Sequence, residues 1–124
     1  MPIQLTTAFN PGDLEAGVTY AQVKIIRFVV DVDAEVVTLV TQYGNTDDNG
    51  DWVPAKAVPP TSVSVMDIPA QGIEGQPGYM APASHFSDLN NRPVPVGSPT
   101  IRESISTSLY QALLDMEAYS GNIV

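Results

Sequence analysis

The residues best spaced for chemistry lie between positions 45 and 50, where oxygen-bearing side chains alternate along the chain. Asn45, Asp47 and Asn49 precede Gly50 as in the front half of a calcium-binding loop, in which alternate oxygen ligands lead to a glycine at the sharp turn. The back half departs from this pattern, because the twelfth position is Lys56 and not a bidentate glutamate. The alternative is an acidic Asn-Gly hairpin turn. We predict no metal site and retain Asn45, Asp47 and Asn49 as the candidate ligands.

The second candidate for chemistry is His85, the only histidine, which follows Ser84 and precedes Asp88. Residues this close in sequence cannot easily reach the geometry of a hydrolytic triad, whose members normally come from separate elements. A zinc site also needs partners, and the chain has no second histidine and no cysteine. The expectation is a surface or interface histidine. We predict no catalytic residues, no cofactor and no enzymatic activity.

The composition excludes several classes of partner. The chain has 14 acidic and five basic residues, for a net charge of -9, which disfavours both nucleic acid and anionic membranes as partners. No apolar run approaches the roughly 20 residues that span a bilayer, and residues 1–7 lack the features of a signal peptide. Only 15% of the residues are charged, where about 25% is usual. Part of the surface is therefore expected to be covered by a partner.

The elements that must position these residues start with a β-hairpin over residues 20–43. The apolar runs Tyr20 to Val32 and Val36 to Tyr43 flank a short polar turn, and the second run alternates with the period of a strand. Both faces of this hairpin are partly apolar, so both need a cover. Shorter strands are predicted over residues 52–58 and 62–68.

A helix is predicted over residues 99–119. Ser98 precedes Pro99, a favoured first helical residue, and Thr100 with Glu103 forms an alternative capping box. Gly121 is expected to end the helix. An apolar stripe recurs at helical spacing and would cover one face of the sheet; it comprises Ile101, Ile105, Leu109, Ala112, Leu113 and Met116.

These elements predict an α+β fold in one domain over residues 1–124. Its small antiparallel sheet of about four strands, within residues 18–68, is led by the 20–43 hairpin and packed by the C-terminal helix within 98–124. Residues 1–17 and the Pro- and Gly-rich segment 69–97 are predicted to be extended arms. The second arm carries apolar groups suited to contacts between subunits, namely Ile73, Tyr79, Met80 and Phe86. Deleting residues 72–95 is then expected to leave a folded domain that cannot assemble.

The order of features resembles that of small virion proteins encoded among the head and tail genes of tailed bacteriophages. The shared plan is an opening Met-Pro-Ile-Gln-Leu, a hairpin from Val23-Lys24-Ile25 to Gln42-Tyr43-Gly44, a polar Gly/Asp turn and a closing helix with Ser108-Leu109-Tyr110-Gln111-Ala112-Leu113. The resemblance implies a structural subunit of a capsid, neck, tail or fibre, without turnover. Its partners would be copies of itself and other virion proteins. It would reside in the virion after synthesis in the host cytoplasm without a signal peptide.

Two other functions remain open at this point. The chain could be a binding module that recognises a carbohydrate or a host surface, assisted by calcium, through Trp52 and the acidic turn. It could also be a small acid-base enzyme that uses Asp47, Asp51 or His85, which would require a concave pocket and a perturbed carboxylate or imidazole.

Overall fold

A computed structural model describes the backbone of residues 2–91 and 101–124, and the side chains of residues 2–91 and 107–124. The strands are β1 (Ile3–Phe9), β2 (Tyr20–Asp31), β3 (Val36–Thr46), β4 (Trp52–Pro54), β5 (Thr61–Ile68), β6 (Ala83–Ser84) and β7 (Gly121–Ile123). The helices are a 3-10 turn (Gly12–Leu14), α1 (His85–Asn90) and α2 (Ile101–Asp115). No helix in these ranges is long and apolar enough to cross a membrane.

The described strands form one antiparallel sheet that curls into a half-barrel. Its order is β6-β5-β3-β2-β1-β7, and β4 pairs with the far end of β3. The predicted α+β fold is wrong, because the protein is mostly antiparallel β and only 17% helical. The difference comes from the ends of the sequence. Residues 3–9, predicted as part of an arm, form β1 between β2 and β7, and the residues after α2 supply β7.

The predicted hairpin is confirmed as β2 and β3, the longest paired strands of the sheet. The pairing runs from Gln22 opposite Gly44 to Asp31 opposite Val36, with one irregularity between Ile25 and Arg27. Asp31 fastens the turn, since its Oδ1 accepts a hydrogen bond of 2.9 Å from the Ala34 N–H. Because β3 also pairs with β5 over residues 36–41, it is the central strand at this end of the sheet.

One face of the sheet carries the main core. Leu109 and Leu113 of α2 pack with Ile3, Leu39 and Val65, all of which are buried. The predicted apolar stripe of the helix is therefore confirmed at Leu109, Ala112 and Leu113, whereas the side chains of Ile101 and Ile105 lie outside the described residues.

Helix α2 ends earlier than predicted, and its C-terminal cap is not formed by the predicted residue. Glu117 has a positive φ of 58°, and the Ala118 N–H bonds to the Leu113 carbonyl at 3.1 Å, as in a Schellman-type helix end. Gly121, predicted to stop the helix, instead lies in β7. A side chain there would collide with the Gln4 carbonyl of β1, so the close approach of these two strands requires glycine.

The segment predicted as a 69–97 arm is folded against the protein over residues 69–91, and residues 92–97 lie outside the described ranges. Gln71 and Met80 exchange two backbone hydrogen bonds of 2.9 Å, which close residues 71–80 into a compact loop. Strand β6 then pairs with β5, and α1 packs Phe86 and Leu89 against the main core. Glycines with positive φ at positions 72, 75 and 78 bend the loop. The prolines of this segment had instead indicated an extended chain.

Candidate functional site

The acidic turn uses its side chains to hold the backbone. Asp47 Oδ1 accepts hydrogen bonds from the N–H groups of Asn49 (2.9 Å) and Asp51 (2.8 Å). Asn45 points elsewhere: its Oδ1 accepts from the Ala21 N–H at 2.9 Å and its Nδ2 donates to the Thr19 carbonyl at 3.1 Å. The structure thus divides the three candidate ligands between two sets of hydrogen bonds. Across residues 2–91 and 107–124, no group of three or more His, Cys, Asp or Glu residues could hold a metal ion.

His85 begins α1, and the carboxylate that accepts hydrogen bonds from the first turn of this helix is Asp67 of β5, whereas Asp88 lies in the helix itself. Asp67 Oδ1 accepts a hydrogen bond of 3.0 Å from the Ser87 N–H, and Asp67 Oδ2 accepts one from the Ser87 hydroxyl. These bonds, with a smaller contribution from the charge of His85, lower the pKa of Asp67. The arrangement caps the helix from a neighbouring strand. Sequence spacing carried no signal for it, because Asp67 and Ser87 are 20 residues apart.

Trp52, the candidate anchor of a carbohydrate site, packs against other residues of the sheet. Its ring lies against Gly44 on β3, where a side chain would collide with it. The Lys24 ammonium stands over the ring, 5.6 Å from its centre, in a cation-π contact. The ring is half-buried, and the lysine covers a face that a sugar would need for stacking.

A shallow groove runs between β1 and residues 118–120. The titratable groups among its described lining residues are Tyr43 and Tyr119, and both are engaged in packing. The Tyr43 ring stacks on Phe9 at 4.0 Å and meets Tyr119 edge-on at 6.1 Å, and the Tyr119 hydroxyl lies 2.7 Å from Thr41 Oγ1. Burial raises the pKa of Tyr43, so its phenol stays neutral at physiological pH. The two tyrosines of the groove therefore serve to pack β1 and the segment after α2 against the sheet.

The four residues predicted to contact other subunits have different environments. Ile73 and Met80 are 72% and 62% exposed on the 71–80 loop, and Tyr79 is half-buried. Phe86 packs against the main core from α1, so much of its ring is used within the chain. The interface role of these residues stays a prediction, and it fits Ile73 and Met80 better than Phe86.

Several exposed apolar side chains follow one another along the second half of β2 and into the turn after it. Five large apolar side chains between positions 26 and 32 are open to solvent, and we call them the distal β2 surface: Ile26 (46% exposed), Phe28 (44%), Val29 (58%), Val30 (50%) and Val32 (75%). They lie on both faces of the sheet. Phe28 and Val30 pair with Leu39 and Val37 and so share the core face, whereas Val29 pairs with Thr38 on the opposite face.

The same half of β2 also has an open edge. Strand β1 pairs with β2 only as far as Val23, and two residues later the Ile25 N–H donates to the Tyr110 hydroxyl at 2.9 Å. Beyond that point, residues 27–31 pair with β3 on one side, and no described strand pairs with them on the other. The sequence indicated that both hairpin faces are apolar, but it gave no sign that β1 stops short of this edge.

Comparison with protein-family models, with curated proteins and with solved structures gives no match to this chain.

Proposed function

We propose that this chain is a structural subunit that assembles through contacts with copies of itself and performs no catalysis. The observation that carries the proposal is the distal β2 surface. Single exposed apolar residues are normal on any protein, whereas neighbouring exposed apolar side chains favour an interaction site. Phe28 and Val30 are such neighbours on the core face, and Val29 lies on the opposite face. Here five large apolar side chains, each at least 44% exposed, fall within seven consecutive residues.

The low charge content supports the same function. Only 15% of the residues are charged, and 12 large apolar side chains are exposed within residues 2–91 and 107–124. Each contact can be weak and still build a stable assembly, because symmetric repetition engages many copies at once. The exposed Ile73 and Met80 of the 71–80 loop provide a second apolar surface for such contacts.

The setting we propose is the particle of a tailed bacteriophage, in the capsid, neck, tail or fibre, with other virion proteins as further partners. This setting comes from the resemblance in the order of hairpin, polar turn and closing helix. The contacts made by Asn45, Asp47 and Trp52 support a structural role for these side chains, since each helps to hold a turn or a strand.

The test is the mass of the purified chain in solution, measured by light scattering over a wide range of concentrations up to about 1 mM, the limit of weak association. We expect a discrete oligomer or a mass that grows with concentration. A monomer at every concentration would overturn self-assembly. Parallel runs with calcium and with a chelator separate the binding-module alternative, which requires a calcium-dependent change in mass or melting temperature.

A further inference from the structure

We infer that two copies of this chain join edge to edge through β2, which pairs antiparallel with β2 of the second copy about Val29. The inference rests on the proposed function, because it names the contact by which copies associate. The pairing would extend the sheet across the dimer by adding one strand to the open edge, a recurring mode of recognition in β proteins.

The first observation is the open edge itself. Residues 27–31 form a regular pairing with β3 on one side, so their backbone is held extended, yet the other side meets no strand in the described chain. Soluble proteins usually protect such an edge with charge, proline, a bulge or a covering element. This edge carries Arg27 and Asp31, but it also presents exposed Phe28, Val29 and Val30, and the irregularity near Ile25 lies at its start and not within it.

The second observation is that this stretch is complementary to itself. In an antiparallel pair centred on Val29, Phe28 of one copy lies opposite Val30 of the other, and the same pair recurs on the other side of the axis. Aromatic and β-branched side chains are favourable cross-strand neighbours. A two-fold contact of this kind closes on itself, as the interfaces of most dimers do.

The third observation is the charge pattern, which selects a second copy as the partner. Arg27 and Asp31 flank Val29 at equal spacing and on its face, so the same two-fold axis brings Arg27 of each copy opposite Asp31 of the other. In a chain with a net charge of -9, this local complementarity offsets general repulsion where the strands meet.

The direct test uses the absence of cysteine from the chain. In the Val29→Cys variant the two sulfurs would face each other across the axis, where the Cα atoms of opposed antiparallel residues are about 4.5 to 5.5 Å apart, within the range that a disulfide bridges. We expect rapid, nearly complete covalent dimer under mild oxidation. The matched control is Ser64→Cys, which is exposed on the same sheet face but two strands away. Equal cross-linking of both variants would overturn the inference.

A charge swap provides the second test. Arg27→Asp places like charges opposite each other twice per dimer, and we expect the dissociation constant to rise about tenfold or more. Adding Asp31→Arg restores opposite charges and should return the constant to within a few-fold of the original. Circular dichroism checks the fold of each variant, because Asp31 also holds the Ala34 N–H in the hairpin turn.

The outcomes separate this inference from the proposed function. An oligomer that persists unchanged in Arg27→Asp, with no disulfide in Val29→Cys, would overturn pairing through β2 and leave the structural function in place. A face-to-face contact through the exposed side chains would show this pattern, since it does not need the edge. A chain that remains monomeric at all concentrations would overturn both.

Discussion

The Tyr110 hydroxyl accepts a hydrogen bond of 2.9 Å from the Ile25 N–H, which ties α2 to β2 just where β2 loses β1 as a neighbour. Tyr110 is 4% exposed, and burial raises the pKa of its phenol. One side chain therefore both anchors the helix on the sheet and marks the start of the open edge.

Tyr110→Phe should destabilise the protein by about 1 to 2 kcal/mol, because the Ile25 N–H loses its acceptor while the ring keeps its packing. The measurement is urea unfolding, with a lower midpoint and an unchanged slope. Tyr79→Phe, on the exposed loop, is the matched control and should leave the midpoint unchanged. Equal midpoints for the two variants would show that the bond contributes nothing to stability.

The stability of the N-terminal end of α1, which Asp67 holds, is expected to fall in acid. The pKa of Asp67 is lowered in the folded protein by the two bonds from Ser87, so the stability that this carboxylate contributes is fully present above the ordinary aspartate pKa of about 3.9 and is lost as the pH falls through the lowered value. Ser87→Ala should lower the melting temperature by a few degrees at pH 7, and this difference should shrink in acid below that range.

The control for this prediction is Ser84→Ala. Ser84 occupies the N-cap position of α1 but makes no capping hydrogen bond with its side chain. Its substitution should change the melting temperature less than Ser87→Ala at pH 7. If both serine variants lose the same stability at every pH, the cap supplied by Asp67 is not what holds α1.

Gly44→Ala should displace the Trp52 ring and cost about 1 to 3 kcal/mol, as overpacking of a filled site does. Trp52 is the only tryptophan, so its fluorescence reports the change directly. We expect a red shift of the emission together with a lower melting temperature. Val53→Ala, at an exposed neighbour on β4, is the control and should leave the emission unchanged. An unshifted spectrum in Gly44→Ala would contradict the packing of the ring on this glycine.

The 71–80 loop can be shortened without loss of the fold. Replacing residues 72–79 with an Asn-Gly turn keeps the Gln71–Met80 bonds at the base of the loop, so we expect the unfolding free energy to change by less than about 1 kcal/mol. Self-association should weaken if Ile73 contributes as predicted. Phe86→Ala, by contrast, should cost about 2 kcal/mol or more, because this ring packs on the core.

The packing of α1 also changes the expected result of deleting residues 72–95. Removing residues 72–95 takes away Phe86 and Leu89 together with α1, so the loss of folding, not only of assembly, is now the expected result. Far-ultraviolet circular dichroism of the deletion variant decides between the two outcomes.

Local patterns predicted the elements that are long and periodic. The β2–β3 hairpin and most of α2 follow from alternation and from a helical stripe, since each buries its apolar face over many residues. Strands β1 and β7 escaped prediction because each is short and is stabilised by pairing between distant parts of the sequence. The alternation of Ile3 and Leu5 was present, but the turn residues that follow indicated an irregular arm.

The candidate surface was predictable only in part. The apolar excess on both hairpin faces indicated that some of the hairpin needs a cover, and the side chains from Ile26 to Val32 are exposed. Sequence patterns instead placed the contacts in the Pro- and Gly-rich segment, where glycine turns help to close residues 71–80 into a loop. The open edge depends on where β1 stops, which is a property of tertiary pairing and not of any local pattern.

The pairing of β1 with β7 has a kinetic consequence. Ile3 lies opposite Ile123, so the sheet is completed only when strands from opposite ends of the sequence meet. Bringing such distant segments together costs conformational entropy before the favourable contact between them forms. Folds with pairings of this kind therefore form in milliseconds to seconds and not in microseconds. The β2–β3 hairpin needs no such closure, so its apolar edge is complete while the rest of the sheet is still forming. During synthesis, neighbouring copies would therefore meet first through an edge that the finished subunit also displays.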